Sequence, residues 1–273
     1  MMIHARGIRT TGIMPLVLLA VGISLVAIAD LYLVFGLLTL ILAGANGPDW
    51  IVFVRAVAHA QLPDLYADSG AFRWSPVAAY AFVPIVALGL TVWRILHLVA
   101  LLFLPRRVAL LTLLAWPLWY DVLTGNVMTF VLVTAWNARE GKRWAQVMFV
   151  ALSLLIPRPL MLPLLGWMLW KQKWLRAPAI ALVVSHAAAV LWSGQMFAWV
   201  MRLADSSGDI ASSVNIAPSA FIGWSWMLIA APLAVIALRR GWTMTAGLLI
   251  EPYWLPYYLL VPIADTADQR GRE

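Results

Sequence analysis

Apolar runs separated by short polar breaks dominate the chain. The first run covers residues 13–45 and is interrupted only by Asp30. Later runs cover 76–104, 108–120, 127–138, 144–156, 160–170, 177–192, 220–238 and 242–264. A helix over the whole first run would be about 50 Å long, against a hydrocarbon core of ~30 Å, so it must tilt, kink or project into water. The run also far exceeds the apolar core of a signal peptide, so Ala43-Gly44-Ala45 does not read as a cleavage site. Several middle runs are much shorter than the ~20 residues of a full span. Pro117, Pro157, Pro159 and Pro163 lie at or near their ends. Short, proline-broken helices at membrane depth need a protein wall or a water-filled cavity beside them, which predicts a polar cavity on one side.

Two long breaks stand out, residues 46–75 and 193–219. The first carries Trp50, Phe53, Tyr66, Phe72 and Trp74. No helix breaker occurs from 49 to 61, which predicts a short interfacial helix there. The pattern predicts an all-α fold, a polytopic transmembrane helical bundle of about nine spans. A long first extracytoplasmic loop carries the interfacial helix. The whole of 1–273 reads as one integral-membrane domain, with tails at 1–12 and 265–273.

Composition agrees. Apolar residues make up 63% of the chain and charged residues 11%, with sixteen Trp. Soluble domains hold about 45–50% and ~25% respectively. These values exclude a soluble enzyme, a disordered chain and a nucleic-acid-binding domain. The net charge of +7 is therefore a matter of orientation. With the N-terminus inside, 12 of the 19 basic residues fall in inner segments, as the positive-inside rule requires. Nine of the 12 acids fall in outer segments. That is a steeper split, and acids contribute little to orientation. There is no Cys, which removes disulfides, thiolate metal sites and a Cys nucleophile. The four His, at 4, 59, 97 and 186, are not at metal-site spacing from one another.

The candidate chemistry lies on the outer side. Asp49, in Gly47-Pro48-Asp49-Trp50, suits either an N-cap or a general base at the membrane boundary. Arg73, in Phe72-Arg73-Trp74-Ser75-Pro76, is either an exposed charge or a partner for a lipid phosphate. Gly125-Asn126 reads as a turn with a helix start, or as a polar notch. Arg158, in Pro157-Arg158-Pro159, stands on the acidic side and is a second phosphate candidate. Asp30 and Glu251 are intramembrane carboxylates, functional by default or else hydrogen-bonded to neighbouring helices. Arg94 and His97 fall toward the inner end of the 76–104 run, where snorkelling accounts for Arg94.

The order of these elements resembles glycosyltransferase family 87, polyprenyl-phosphate-mannose-dependent α-mannosyltransferases of the GT-C type. One helix precedes an outer loop with Gly-x-Asp-aromatic, then Leu65-Tyr66, then Phe72-Arg73-Trp74-Ser75-Pro76. Gly125-Asn126 stands where the family has Gly-Gln. Pro157-Arg158-Pro159-Leu160 resembles its Lys-Pro-x-x-Leu stretch, with Ile156 at a usual Lys. Asn215 to Ser219 falls where Asn-Gln-Ser is frequent. Glu251-Pro252-Tyr253-Trp254 with Tyr257-Tyr258 resembles its Ser-Pro … Trp-x-His-Tyr segment, with Tyr257 at a usual His. The likeness runs over most of 46–264, and typical members continue into further helices.

The resemblance implies transfer of a sugar, mannose above all, from a polyprenyl phosphate-linked donor to a glycolipid or glycan acceptor hydroxyl. The site would face the extracytoplasmic side of a bacterial plasma membrane, among membrane lipids. Asp49 matches the family's catalytic base. Arg73, Asn126, Arg158, Asn215, Tyr257, His59 and Glu251 are the candidate substrate-binding residues. No metal, nucleotide or other cofactor is implied. Two other readings stand beside this one. The departures at Ile156 and Tyr257 suit a non-catalytic lipid-saccharide-binding or scaffold relative. Asp30, Glu251 and the broken helices suit a transporter or flippase.

Overall fold

The computed structural model describes residues 13–61, 65–68, 72–204 and 215–267. The basic N-terminal tail with Arg6 and Arg9 lies outside them. So do Asp64, Asp205, Asp209, Asp268, Glu273, Arg270 and Arg272. The described residues are helical and include no strand.

α1 (Ile13–Leu42) is a single 30-residue helix, and its apolar side chains from Leu19 onward are largely exposed. It ends at a left-handed Gly44, and α2 (Pro48–Ala58) follows as the short helix expected in the first loop. α3 (Leu65–Asp68) and α4 (Pro76–Leu88) complete this layer. Ser75 opens α4 by accepting the Val77 amide at 3.2 Å. The chain then turns through 103° at Gly89 into α5 (Leu90–Ala100), whose 3-10 extension ends at Phe103. The unbroken helix expected over 76–104 is thus an elbow. Gly89 has φ 85°, a conformation that residues with a Cβ rarely adopt.

α6 (Arg106–Leu114) and α7 (Trp116–Thr124) meet at Ala115. Asp30 accepts the first amide of α7, Trp116, at 3.1 Å. This intramembrane acid caps a helix. α8 (Met128–Arg139) is the central helix, with every residue but Phe130 buried. It forms a hairpin with α9 (Arg143–Leu155). α10 (Leu162–Lys171) and α11 (Arg176–Trp192) follow, and both pack on α9. α12 (Met196–Ala204) follows in the second long loop. α13 (Ser219–Ile222) then leads into α14 (Trp226–Arg239). α14 packs on α15 (Thr243–Ile250) through Ala234, Ala237 and Ala246, small residues that let two helices approach closely.

The last segment departs from the expected span over 242–264. The helix stops at Ile250, and Pro252 and Pro256 keep the next residues out of an α-helix. A 3-10 helix, Pro256–Thr266, then runs back along α15. Asp265 closes the hairpin by accepting the Met244 and Thr245 amides at 3.0 and 2.6 Å. It also pairs with Arg139 at 3.3 Å, with both side chains buried. Asp265 therefore sits beside Arg139, not across the membrane from it, which removes one acid from the expected outer set. Arg139→Met should destabilise the protein by about 3–5 kcal/mol, because it leaves a buried carboxylate without its counter-charge. Thermal unfolding in detergent reads this. The double variant with Asp265→Asn should recover part of the loss.

By length and apolarity, three described helices can cross a membrane: Leu19–Leu42, Lys173–Trp192 and Ser219–Arg239. The elbow Pro76–Leu88 with Leu90–Phe103 makes a fourth if counted as one span. Nine full spans are not what these lengths support. α8, α9, α10 and α15 have 8–13 residues, or about 12–20 Å each, too short to cross alone, and α8 is enclosed by its neighbours. Exposed aromatic residues mark two levels. Trp192 (94% exposed), Phe221 and Trp224 lie at one end and Trp170, Trp144 and Trp242 at the other, as at the two interfaces of a bilayer.

Candidate functional site

Two turns meet at the end of the molecule that carries Trp192. One is Gly47-Pro48-Asp49. Gly47 is the N-cap of α2 and Pro48 its first residue, so Asp49 sits inside the first helical turn and its carboxylate is not the cap. The other is Gly125-Asn126, which ends α7 through a left-handed Gly125 (φ 75°). Gly47 has no room for a side chain. A Cβ there would run into Thr124 O and lie 2.6 Å from Leu123 O. Gly125 packs against Trp50, where a Cβ would lie 3.0 Å from the Trp50 Cβ. The turns thus touch backbone to backbone.

α5 fixes the second turn from below. Arg94 Nε donates to Val122 O at 3.1 Å, and its Nη2 to Leu123 O at 3.0 Å and Ala45 O at 2.6 Å. Trp93 Nε1 donates to Gly125 O at 2.9 Å. His97 Nε2 lies 2.8 Å from Asn126 O. One face of α5 therefore holds four of the five carbonyls from 122 to 126. A buried guanidinium at the C-terminal end of α7 also opposes the partial negative charge there. This replaces the snorkelling expected of Arg94. Asp121 completes the frame by accepting the Thr129 amide (2.8 Å) and hydroxyl (2.6 Å) at the start of α8.

Held this way, Asn126 Nδ2 reaches both Asp49 Oδ2 and Tyr257 Oη at 2.9 Å. These three residues face a pocket of about 110 Å³. Arg73 and Arg158 line it as well. Phe53, Phe72 and Trp74 form one wall, and Tyr253, Leu255 and Tyr258 another. Burial pushes the Asp49 carboxyl above its ordinary range. Hydrogen bonds from Asn126, Thr124 and Tyr257 pull the other way, and the nearby Asp121 adds to the rise.

The structure gathers Asp49, Arg73, Asn126, Arg158 and Tyr257 around this one pocket. The other three expected site residues stand outside it. Glu251 lies behind Arg158, with its Oε1 4.0 Å from Arg158 Nη1 and its Oε2 accepting the Leu160 amide at 3.3 Å. It positions the Pro157-Arg158-Pro159 turn. Asn215 shapes the wall. Its Oδ1 accepts the Ala217 and Trp254 amides at 2.9 Å each, and Ser219 Oγ donates to Pro252 O beside it. Together they set the non-helical strip that carries Tyr253 and Leu255. His59 closes α2 at its far end, where its amide donates to Arg55 O, away from Asp49. None of the three lines the cavity: Glu251 and Asn215 are taken by the backbone that frames it, and His59 stands at the other end of α2.

Sequence reasoning missed Met128, Tyr253 and Tyr258 as lining residues, and Trp93, Arg94, His97 and Asp121 as supports. The spacing of Trp93, Arg94 and His97 on one helical face was the available signal. It carried no hint of which backbone that face meets. Among the described residues no three His, Asp or Glu side chains cluster as metal ligands do.

Beside this pocket runs an apolar groove of about 430 Å³ between the α4–α5 elbow and the α8–α9 hairpin. It extends from Phe82 and Ile156, next to the polar pocket, to Phe103 and Trp144 at the opposite end. Phe82 stacks on Phe53 with ring centres 4.3 Å apart, so one aromatic wall separates the two spaces. Comparison with known proteins gives no match, whether among family models, curated proteins or solved structures.

Proposed function

We propose that the chain is an integral-membrane glycosyltransferase of GT-C type. It moves a sugar, mannose by resemblance, from a polyprenyl phosphate donor to an acceptor hydroxyl. One observation carries the reading: a buried carboxylate and two arginines face the same small aromatic-walled pocket, with a long apolar groove beside it across one aromatic wall. The carboxylate takes the acceptor's proton as its oxygen attacks the anomeric carbon. The bond from that carbon to the donor phosphate breaks, and the phosphate monoester leaves with the electron pair. Arg158 and Arg73 receive it, a task that suits the guanidinium fork. Attack from the side opposite the phosphate inverts the anomeric centre. The groove takes the donor's hydrocarbon tail, and the aromatic walls pack against the sugar ring. The pocket lies on the extracytoplasmic side of a bacterial plasma membrane, with the basic loops and the N-terminus in the cytoplasm.

The test is transfer of labelled sugar from a polyprenyl phosphate donor by the protein in membranes. A base must be ionised to act, so the rate should rise with pH through the raised pKa of Asp49 and level off above it. A profile already flat from the ordinary carboxylate range upward would remove Asp49 from the role. A non-catalytic lipid-saccharide binder is the second reading. Ile156 favours it, being buried in the groove where the family has a Lys. Donor binding without turnover over a range of acceptors would select it.

A further inference from the structure

α12 has apolar residues on two opposite sides. Ala198 and Trp199 pack inward against the core. Met196, Phe197, Val200 and Met201 form a stripe on the other side, and all four are exposed, Phe197 at 76%. Such a stripe in water would be an apolar surface with no cover. The helix has 9 residues, about 13 Å, and is far too short to cross a bilayer. Gly194, with φ 69°, breaks it from the end of α11. Its inward side meets α3 and the Arg73 segment, which places it at the level of the pocket. The exposed Trp192, Phe221 and Trp224 mark the same end of the molecule.

The inward side also makes specific contacts. Trp199 Nε1 donates to Arg73 O at 3.4 Å. The Trp199 ring meets His186 edge-on, and His186 Nε2 lies 2.9 Å from Ser75 Oγ. The Ser75 amide donates to Leu155 O at 3.1 Å. The Arg73–Ser75 strip is therefore held between α12 on one side and α9 and α11 on the other.

We infer that α12 lies flat in the lipid headgroup region and acts as a membrane-seated arm. It holds the Arg73 strip in place through Trp199. The partner is the lipid surface itself, since the stripe continues the belt that the exposed aromatics mark at this end. With lipid beneath α12, the α12 side of the strip is fixed as firmly as the α9–α11 side, and Arg73 is held against the pocket from both. This rests on the membrane reading and on Arg73 lining the pocket, but not on sugar transfer.

The chain has no cysteine, so single-Cys variants of the full-length protein report one place each. Phe197→Cys and, as a second site on the stripe, Met201→Cys carry an environment-sensitive fluorophore. The protein sits in vesicles of phosphatidylcholine and phosphatidylglycerol. Leu228→Cys on α14 and Lys142→Cys in the α8–α9 turn are references for lipid and water. The stripe labels should be quenched by spin-labelled lipids near the headgroups and shielded from aqueous iodide. Stripe labels as open to iodide as Lys142→Cys would overturn the placement. If Leu228→Cys also reports water, the membrane reading itself fails.

The coupling has its own readout. Hydrogen exchange over residues 72–78 should be about tenfold faster in Trp199→Leu and in Phe197→Glu, roughly the loss of one net hydrogen bond. Unchanged exchange in both variants would overturn the coupling. Neither readout needs a donor sugar, so both stand or fall apart from the transferase reading.

Discussion

Asp49→Asn is expected to abolish sugar transfer, with a loss of about 10²–10⁴-fold, the usual contribution of a positioned general base. The fold should survive. Asn is the same size and retains an acceptor for the Asn126 amide. The direction of the stability change is the sharper part of this prediction. The Asp49 pKa is raised in the folded state, chiefly by burial. Whatever the carboxyl contributes to stability is then fully present below its unfolded pKa and lost as the pH rises through the folded one. Above that raised pKa the ionised group is a cost to the fold, so in that range the Asn variant should unfold at the same temperature as the parent or above it. Loss of activity with no loss of stability is the signature of a residue kept for function. Retained transfer in Asp49→Asn, or a clear fall in melting temperature beside lost activity, would make Asp49 a structural residue.

Gly47→Ala should be nearly as damaging, for a steric reason alone. Its φ is −74°, which alanine accepts, so backbone strain plays no part. The obstacle is the carbonyl of Thr124 directly against the position, with Leu123 O beside it. Arg94 holds Leu123 O, and Thr124 sits between carbonyls that α5 fixes on either side, at Leu123 and Gly125. The two turns must part. Overpacking of this kind costs roughly 1–3 kcal/mol. The larger consequence is that Asp49 moves off Asn126, and a displacement of about 1 Å can cost on the order of 100-fold in rate. Gly22→Ala is the matched control. It lies in α1 with nothing within 4 Å of its added Cβ, and should be neutral or slightly stabilising. If both variants transfer sugar equally well, the contact between the turns does not matter.

Much of the candidate site was legible because its residues come as short local motifs. Asp49 after Gly-Pro, Arg73 among aromatics, Asn126 after a glycine and Arg158 between prolines all mark turns at helix ends. Turns at one end of a helical bundle have a common place to meet. Asn215, Glu251 and His59 were not separable from these by the same logic. A polar residue in a turn can face a cavity or bind backbone, and only the neighbouring chain decides which. Glu251 illustrates this. Its carboxylate is taken by the Leu160 amide and lies near Arg158, so it acts on the pocket from behind. Arg94 erred the other way. A lone arginine in an apolar run reads as an interfacial charge, yet here three carbonyls surround it.

The sequence by itself determined that this chain is helical, apolar enough for a membrane, and punctuated by glycines and prolines at particular places. Those properties are local: they follow from side-chain transfer energies and from which backbone angles a residue accepts. What the punctuation does was decided only in the tertiary structure. Gly89 turns a helix by 103°, while the break after Ile250 sends the chain back on itself. Both prevent a continuous helix, and nothing local distinguishes an elbow from a hairpin. The choice at the second break is closed by Asp265 reaching Arg139 and the start of α15, three partners 20 or more residues away. That return of the chain carries Tyr257 to the pocket, and the contact between Gly47 and the carbonyls of the other turn sets Asp49 beside it, while Glu251 and the α9 and α12 contacts bring in Arg158 and Arg73.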